Sequence, residues 1–129
     1  MKPIQRKPTA AELEILGVLW RLGPSTVRDV HEQLRQRQDA GYTTVLKLMQ
    51  IMTEKGLLAR DERERAHVYR PVMKQEDTQR QIVTDLVERA FGGSAAQLVL
   101  RALSAKKASK AELQEIREML DRMERGGEQ

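Results

Sequence analysis

Apolar and polar residues alternate at helical spacing in the stretch from Gly41 to Gly56. The apolar positions follow i, i+3, i+4 and i+7, which places on one helix face Val45, Leu48, Met49 and Met52. The opposite face receives Thr43, Lys47, Gln50 and Glu54. Leu46 lies off the apolar stripe, on the flank of the polar face beside Lys47. We therefore predict a short amphipathic helix that buries a narrow stripe and presents a polar surface.

Two more helices are predicted before this stretch. Thr9 and Glu12 have the spacing of a capping box, and Gly23 and Pro24 end the apolar run that follows. The apolar residues of that first helix are Leu13, Leu16, Val18, Leu19 and Trp20. Ser25 is predicted to cap a second helix, whose helically spaced apolar residues are Val27, Val30 and Leu34. Three short helices, the third amphipathic, predict a helix-turn-helix core.

After Gly56 the pattern changes to that of a β-hairpin. Residues 57–60 and 68–72 are predicted as strands, and the charged residues 61–67 as the exposed tip. Three helices followed by a hairpin describe a winged helix, in which the third helix enters the DNA major groove and the wing lies along the adjacent backbone. Arg63 and Arg65 alternate with Glu62 and Glu64, so a merely solvated charged loop is the alternative interpretation of the tip.

The remaining chain, from about Lys74, is predicted to be helical. A long helix ends at Gly92 and Gly93, and Ser94 with Gln97 and Ser109 with Glu112 have the spacing of two further capping boxes. These helices either fold back on the winged helix or pack against a second copy of the chain. We favour the second copy, because about 45 residues are too few for a core of their own. The predicted dimerisation residues are Ile82, Val83, Leu86, Val87, Leu98, Leu100, Leu113, Ile116 and Leu120.

These patterns predict a mainly α protein with a small β-wing. Residues 1–73 are predicted as a winged-helix DNA-binding domain and residues 74–129 as a helical dimerisation segment. Charge supports this division: residues 1–73 hold 13 Lys and Arg against 9 Asp and Glu, while residues 74–129 hold 10 against 10. The positive excess therefore lies in the predicted DNA-binding half, where an anionic partner is plausible.

Composition excludes several other classes of protein. Aromatic residues are only 3%, which argues against a base-stacking platform for single strands. The absence of cysteine excludes disulfides and thiolate metal sites. No apolar run approaches the roughly 18 residues of a membrane span, and residues 1–7 lack the apolar core of a signal peptide. We expect a cytoplasmic protein without membrane insertion.

The sequence contains no convincing catalytic or metal-binding motif. The run from His31 to Arg35 begins like a zinc-protease motif, but its fifth residue is arginine, which is not a metal ligand. His67 is interpreted as a surface strand residue, and the serines fall mainly at helix caps. No glycine-rich phosphate loop occurs. We expect no enzyme activity, no metal and no cofactor.

Taken in order, the motifs resemble the penicillinase-repressor family. The matching residues are Trp20, Tyr42 to Val45, Lys55 to Leu57, Arg65, Tyr69 to Pro71, Ser94, Leu98 to Leu100, Ser109 and Glu112. This family includes the beta-lactamase repressors, the methicillin-resistance repressors and a copper-responsive branch. The resemblance implies a homodimeric winged-helix repressor that binds palindromic operators and dimerises through its C-terminal helices.

The chain departs from the family pattern at two places. The copper-responsive branch carries a C-terminal cysteine motif, and this chain has no cysteine. For the antibiotic-responsive members of the family, the resemblance implies that induction occurs when a protease cuts the dimerisation segment at an Asn-Phe bond. The aligned residues here are Arg101 and Ala102. By the same resemblance, a membrane-bound sensor protease would be the partner that performs such a cut.

The predicted DNA contacts divide into two kinds. Phosphate contacts are expected from Lys47, Arg63 and Arg65, and also from Lys2, Arg6 and Lys7. Base reading is expected from Thr43, Thr44 and Lys47, with Leu46 placed for a thymine methyl. Gln50, on the outward face, is a further expected DNA contact. Capping of the helix is the alternative role for the two threonines. A homodimer on double-stranded operator DNA would then block transcription by occluding polymerase.

Two other functions are compatible with a winged helix. One is a protein-interaction module, and the other is a small-molecule-sensing repressor of the multidrug-resistance-regulator type. The ligand pocket of the latter usually needs more aromatic lining than this chain provides.

Overall fold

The computed structural model describes residues 7–36 and 40–126. In chain order, its helices and strands are α1 (Ala10–Leu22), α2 (Val27–Arg35), α3 (Tyr42–Lys55), β1 (Leu58–Asp61), β2 (Val68–Pro71), α4 (Gln75–Ala90), α5 (Ala95–Ala105) and α6 (Lys110–Gly126). Strands β1 and β2 pair antiparallel, with Leu58 opposite Pro71 and Asp61 opposite Val68. The prediction of a mainly α protein with a small β-wing is confirmed.

Reciprocal side-chain caps fix the starts of the first two helices. The Thr9 hydroxyl accepts the N–H of Glu12 at 3.1 Å, and the Glu12 carboxylate accepts the N–H of Thr9 at 2.9 Å, as predicted. The second helix is capped by Thr26, which forms a capping box with Asp29. The prediction that Ser25 is the cap was wrong by one residue.

Ser25 is instead a strand-like residue that ties the hairpin to the helices. Its N–H donates to the Tyr69 carbonyl at 3.0 Å, and its own carbonyl accepts the Tyr69 N–H at 2.8 Å. Its hydroxyl donates to the Gly23 carbonyl at 2.7 Å. Because both backbone groups of Ser25 are used in this bridge, the helix begins one residue later.

The hairpin begins immediately after a glycine cap. Gly56 adopts a left-handed conformation (φ 87°, ψ 10°) that ends α3, and the N–H of Leu57 returns to the Met52 carbonyl at 2.9 Å. Leu57 is therefore part of the helix cap, and β1 starts at Leu58 and extends to Asp61. The predicted first strand was shifted by one residue for this reason.

Helices α1, α2 and α3 and the hairpin enclose one apolar core. Its buried residues are Ile15, Leu16, Val18, Leu19, Val27, Val30, Leu34, Val45, Met49, Met52, Leu58 and Tyr69. Leu13, Trp20 and Leu48 pack against this core and are only partly buried. The indole N–H of Trp20 donates to the Met73 carbonyl at 3.1 Å. Three helices around this core, followed by the hairpin, form a winged helix.

Backbone packing divides the chain into two compact units inside α4. The first reaches Ile82 and the second begins at Val83. Within α4 the buried residue is Thr78, which belongs to the first unit, whereas α5 and α6 contain no buried residue. The predicted division of roles at residues 73 and 74 stays a prediction. In the part of the chain that the structure describes, no helix is long and apolar enough to span a membrane.

Candidate nucleic-acid interface

Helix α3 separates a buried face from an exposed polar face. Three of the four residues predicted for the apolar stripe, Val45, Met49 and Met52, are each 0% exposed, and the fourth, Leu48, is only partly buried. The opposite face is exposed and carries Thr43, Thr44, Lys47, Gln50 and Glu54. The core thus fixes the rotation of α3 about its axis. Hydroxyl, ammonium and amide groups face solvent together, and these are the groups that read base edges and phosphates.

The hydroxyl groups of Thr43 and Thr44, at the start of α3, are not used to cap the helix. The N-cap is Gly41, and no side chain caps the helix. Within the described residues, neither the Thr43 nor the Thr44 hydroxyl has a hydrogen-bond partner, so the alternative capping role is not observed. The adjoining Tyr42 ring packs edge-on against the His31 ring, with centroids 5.8 Å apart. Nε2 of His31 lies 3.0 Å from the Ala40 carbonyl oxygen, which gives this histidine a structural role.

A groove of about 510 Å³ runs between the start of α2, the start of α3 and the wing. Its lining includes Thr26 and Arg28 from α2, Tyr42 and Leu46 from α3, and Arg65 and His67 from the wing. Leu46 is partly buried along this groove, which agrees with its predicted place on the flank of the polar face. The groove brings two arginines from separate elements next to the exposed face of α3.

The arginines of the wing differ in their partners. The Arg63 guanidinium binds the Asp61 carboxylate, with Nη2 to Oδ2 at 2.7 Å. That ion pair, together with the hydrogen bond from the Arg63 N–H, lowers the pKa of Asp61 to about 2. Arg60 binds Glu62 at 2.6 Å. Arg65 forms no hydrogen bond or ion pair with any described residue.

A buried ion pair fixes the far end of α3. Nζ of Lys55 donates to both carboxylate oxygens of Glu12, at 2.9 and 2.8 Å. Burial would raise the pKa of Glu12, but the hydrogen bonds from Lys55 and from the Thr9 N–H outweigh it, so this pKa is lowered from 4.5. Lys55 therefore faces the protein interior, whereas Lys47 on the same helix faces solvent.

The remaining predicted site residues are placed as follows. Lys7 is exposed, and Arg6 and Lys2 lie outside the described residues. Of the predicted dimerisation residues, Val83, Leu86, Leu100 and Leu120 are exposed, and those of intermediate exposure are Ile82, Val87, Leu98, Leu113 and Ile116. Arg101 and Ala102 are exposed within α5.

Sequence reasoning missed three residues of this surface: Arg28, Tyr42 and His67. Arg28 lies in the first turn of α2, and its position two residues beyond a helix cap was the available signal. For Tyr42 and His67 the signal was weaker, because only the folded hairpin brings the wing beside α3. Among residues 7–36 and 40–126, no group of three or more His, Cys, Asp or Glu side chains is arranged to hold a metal ion.

Comparison with known proteins agrees with this architecture. The penicillinase repressor family matches over residues 8–122. Transcriptional regulator BlaI from two strains of Mycobacterium tuberculosis is 34% identical over 90 residues, which cover 69% of this chain. The aligned part spans 65% of the length of those relatives.

Solved structures share the fold. The DNA-binding domain of the repressor BlaI superposes with a TM-score of 0.50 at 24% identity, covering 57% of this chain and 93% of that one. A MarR family protein from Bacillus stearothermophilus superposes with a TM-score of 0.51 at 18% identity, covering 96% of this chain and 78% of that one. The resemblance carried by the sequence motifs is confirmed by the family match: this chain belongs to the penicillinase-repressor family.

Proposed function

We propose that this protein is a transcriptional repressor that binds double-stranded operator DNA through α3 and the wing. The observation that carries the proposal is that α3 has one buried face and one exposed face. Three fully buried residues, Val45, Met49 and Met52, fix the helix, and its opposite face holds exposed polar side chains, Lys47 among them, together with Ile51, which is 40% exposed. A helix so fixed can enter a major groove, where it reads the donor and acceptor pattern of base pairs.

The surroundings of α3 suit a DNA backbone. Arg28 and Arg65 line the same groove beside the start of the helix, and the positive excess of the chain lies in this half. Phosphate contacts from such residues supply affinity that does not depend on sequence, while Thr43 and Thr44 would supply part of the discrimination among bases. Membership of the penicillinase-repressor family and relatives described as transcriptional regulators support the same role.

We further propose that the protein acts as a homodimer through its C-terminal helices. The supporting observation is that α5 and α6 bury no residue, although they carry apolar side chains at helical spacing. Leu100, Leu120 and Met123 are each more than half exposed. Contact with a second chain would remove these side chains from water, and two linked winged helices would occupy both half-sites of a palindrome and occlude polymerase.

Release of the repressor is proposed to follow cleavage of the dimerisation segment by a membrane-bound sensor protease. The aligned bond joins Arg101 and Ala102, which are exposed in the middle of α5. Because these residues are helical, α5 must open locally before a protease can hold them in an extended conformation. Purified protein sampled during induction should contain a fragment ending at Arg101, and an intact chain in fully induced cells would contradict this step.

The test of DNA binding is a gel shift with the region upstream of the coding sequence. A random-sequence duplex of equal length and a single strand of the operator serve as controls. We expect saturable binding of the upstream duplex that exceeds binding to both controls by at least about 10³-fold. Equal binding to all three would contradict operator recognition, and no binding to any would favour a protein-interaction module.

A further inference from the structure

In the wing, the guanidinium of Arg63 is already bound by a carboxylate of the protein itself. Nε and Nη2 of Arg63 donate to the two carboxylate oxygens of Asp61, at distances from 2.7 to 3.2 Å. Oδ1 of Asp61 also accepts the backbone N–H of Arg63 at 3.0 Å, so the carboxylate shapes the turn as well as holding the side chain. The Arg63 side chain is 87% exposed, so its guanidinium is open to solvent at the tip of the wing.

Arg65, two residues further on, provides an internal contrast. It lies on the edge of the groove beside α3 and forms no ion pair with any described residue. Glu64, which lies between Arg63 and Arg65 in the sequence, likewise forms no ion pair with an arginine in the described parts of the chain. The wing therefore presents one arginine that is available at once and one whose forked donors already face a carboxylate.

The same donors serve carboxylate and phosphate. A guanidinium binds both groups through two parallel N–H donors, so Arg63 must leave Asp61 before it can bind a phosphate in that way. Exposed ion pairs are weak, and breaking one shifts an equilibrium by no more than about fivefold. The pair can thus reduce the contribution of Arg63 to binding without preventing it.

We propose that Asp61 limits the affinity of this protein for duplex DNA by competing with DNA phosphates for Arg63. This inference rests on the proposed function, and it concerns the part of binding that is independent of sequence. Asp61 acts through Arg63 and makes no contact with DNA itself. Its effect should therefore be the same on operator and on random duplex.

The test replaces Asp61 with asparagine and measures binding to a fluorescent random-sequence duplex across a series of salt concentrations. Asparagine retains an oxygen for the Arg63 N–H and removes the charge that holds the guanidinium. We expect Asp61→Asn to bind about two- to fivefold tighter per wing, with a log–log salt slope that is steeper by at most about 0.9 per wing. Asp61→Ser, which also keeps an acceptor, should behave alike.

The matched control is Glu64→Gln, which removes an equal charge from the same loop without releasing an arginine. It should leave the salt slope unchanged. The double variant Asp61→Asn/Arg63→Gln should lose the gain in affinity and have a slope no steeper than that of the wild type, because the released guanidinium is then absent. This combination would establish that the effect passes through Arg63.

The proposal is overturned if Asp61→Asn and Glu64→Gln have the same affinity and slope. It is also overturned if the double variant keeps the steeper slope. In either case, the proposed function still stands if Arg65→Ala binds DNA more weakly than the wild-type protein, as expected for the loss of a phosphate contact. Failure of the wild-type protein to bind any duplex overturns both this inference and the proposed function.

Discussion

Replacing Lys55 with methionine should destabilise the winged helix more than the same replacement of the other lysine on α3, Lys47. Glu12 is 2% exposed, and the Lys55 ammonium bonds both of its carboxylate oxygens. Without this ammonium, the buried carboxylate retains hydrogen bonds from Thr9 but loses its counter-charge. The ion pair joins the start of α1 to the end of α3, so the loss affects the placement of both helices.

The size of the effect follows from burial. Removing one partner of a fully buried ion pair costs about 3–5 kcal/mol. The Lys55 side chain is 24% exposed, so water can reach the vacated position and reduce the loss. We expect Lys55→Met to cost about 2–3 kcal/mol, which corresponds to a fall in melting temperature of roughly 10–20 °C for a unit of this size.

Two further variants make the measurement specific. Lys47→Met makes the same substitution on the exposed face of α3 and should change the unfolding free energy by less than about 0.5 kcal/mol. Glu12→Gln keeps the capping acceptor and lets Lys55 extend into water, so it should cost about 1 kcal/mol. Denaturation followed by circular dichroism supplies all three values. A loss for Lys55→Met no larger than that for Lys47→Met would refute the reasoning.

Four other outcomes are expected. Arg65→Ala should weaken binding to operator and to random duplex alike and flatten the salt slope by about one, measured by anisotropy titration; a loss confined to one operator would instead assign Arg65 to base reading. Thr43→Ala should cost roughly 1–3 kcal/mol on operator and little on random duplex, and equal losses on both would contradict a role in base reading. Leu120→Glu should shift the protein toward monomer in sedimentation and weaken operator binding by about 10²-fold or more, whereas an unchanged dimer would remove α6 from the interface. Because the pKa of Glu12 is lowered by folding, its contribution to stability is present above pH 4.5 and is lost as pH falls further, so the difference in unfolding free energy between the wild type and Glu12→Gln should shrink as the pH is lowered below 4.5; a difference that stays constant with pH would contradict this.

Much of the fold was predictable from local patterns. The capping box at Thr9 and Glu12, the buried stripe of α3 and the glycine that ends it are all encoded within a few neighbouring residues. Their physical causes are equally local, because a cap satisfies nearby N–H groups and a helix buries positions at a fixed period. These elements were therefore predicted at nearly the observed positions.

The errors and omissions involve contacts between distant parts of the chain. Ser25 has the chemistry of a helix cap, and only its bridge to Tyr69 in β2 moves the start of α2 to Thr26. Lys55 looks like another basic residue of a DNA-binding helix, but Glu12, 43 positions earlier, draws it inward. The pairing of Arg63 with Asp61 depends on the conformation of the turn. Composition and periodicity carry no information about such partners.

In the proposed function, two copies of α3 and the wing recognise one palindromic operator. Footprinting on the upstream promoter, with wild-type protein and the Leu120→Glu variant, tests this claim most directly. We expect the wild-type protein to protect two symmetric segments, whose centres lie one helical turn or a whole multiple of it apart, at a single half-saturating concentration. The variant should require far more protein for both segments. Protection of a single asymmetric segment, or equal protection by both proteins, would contradict the account.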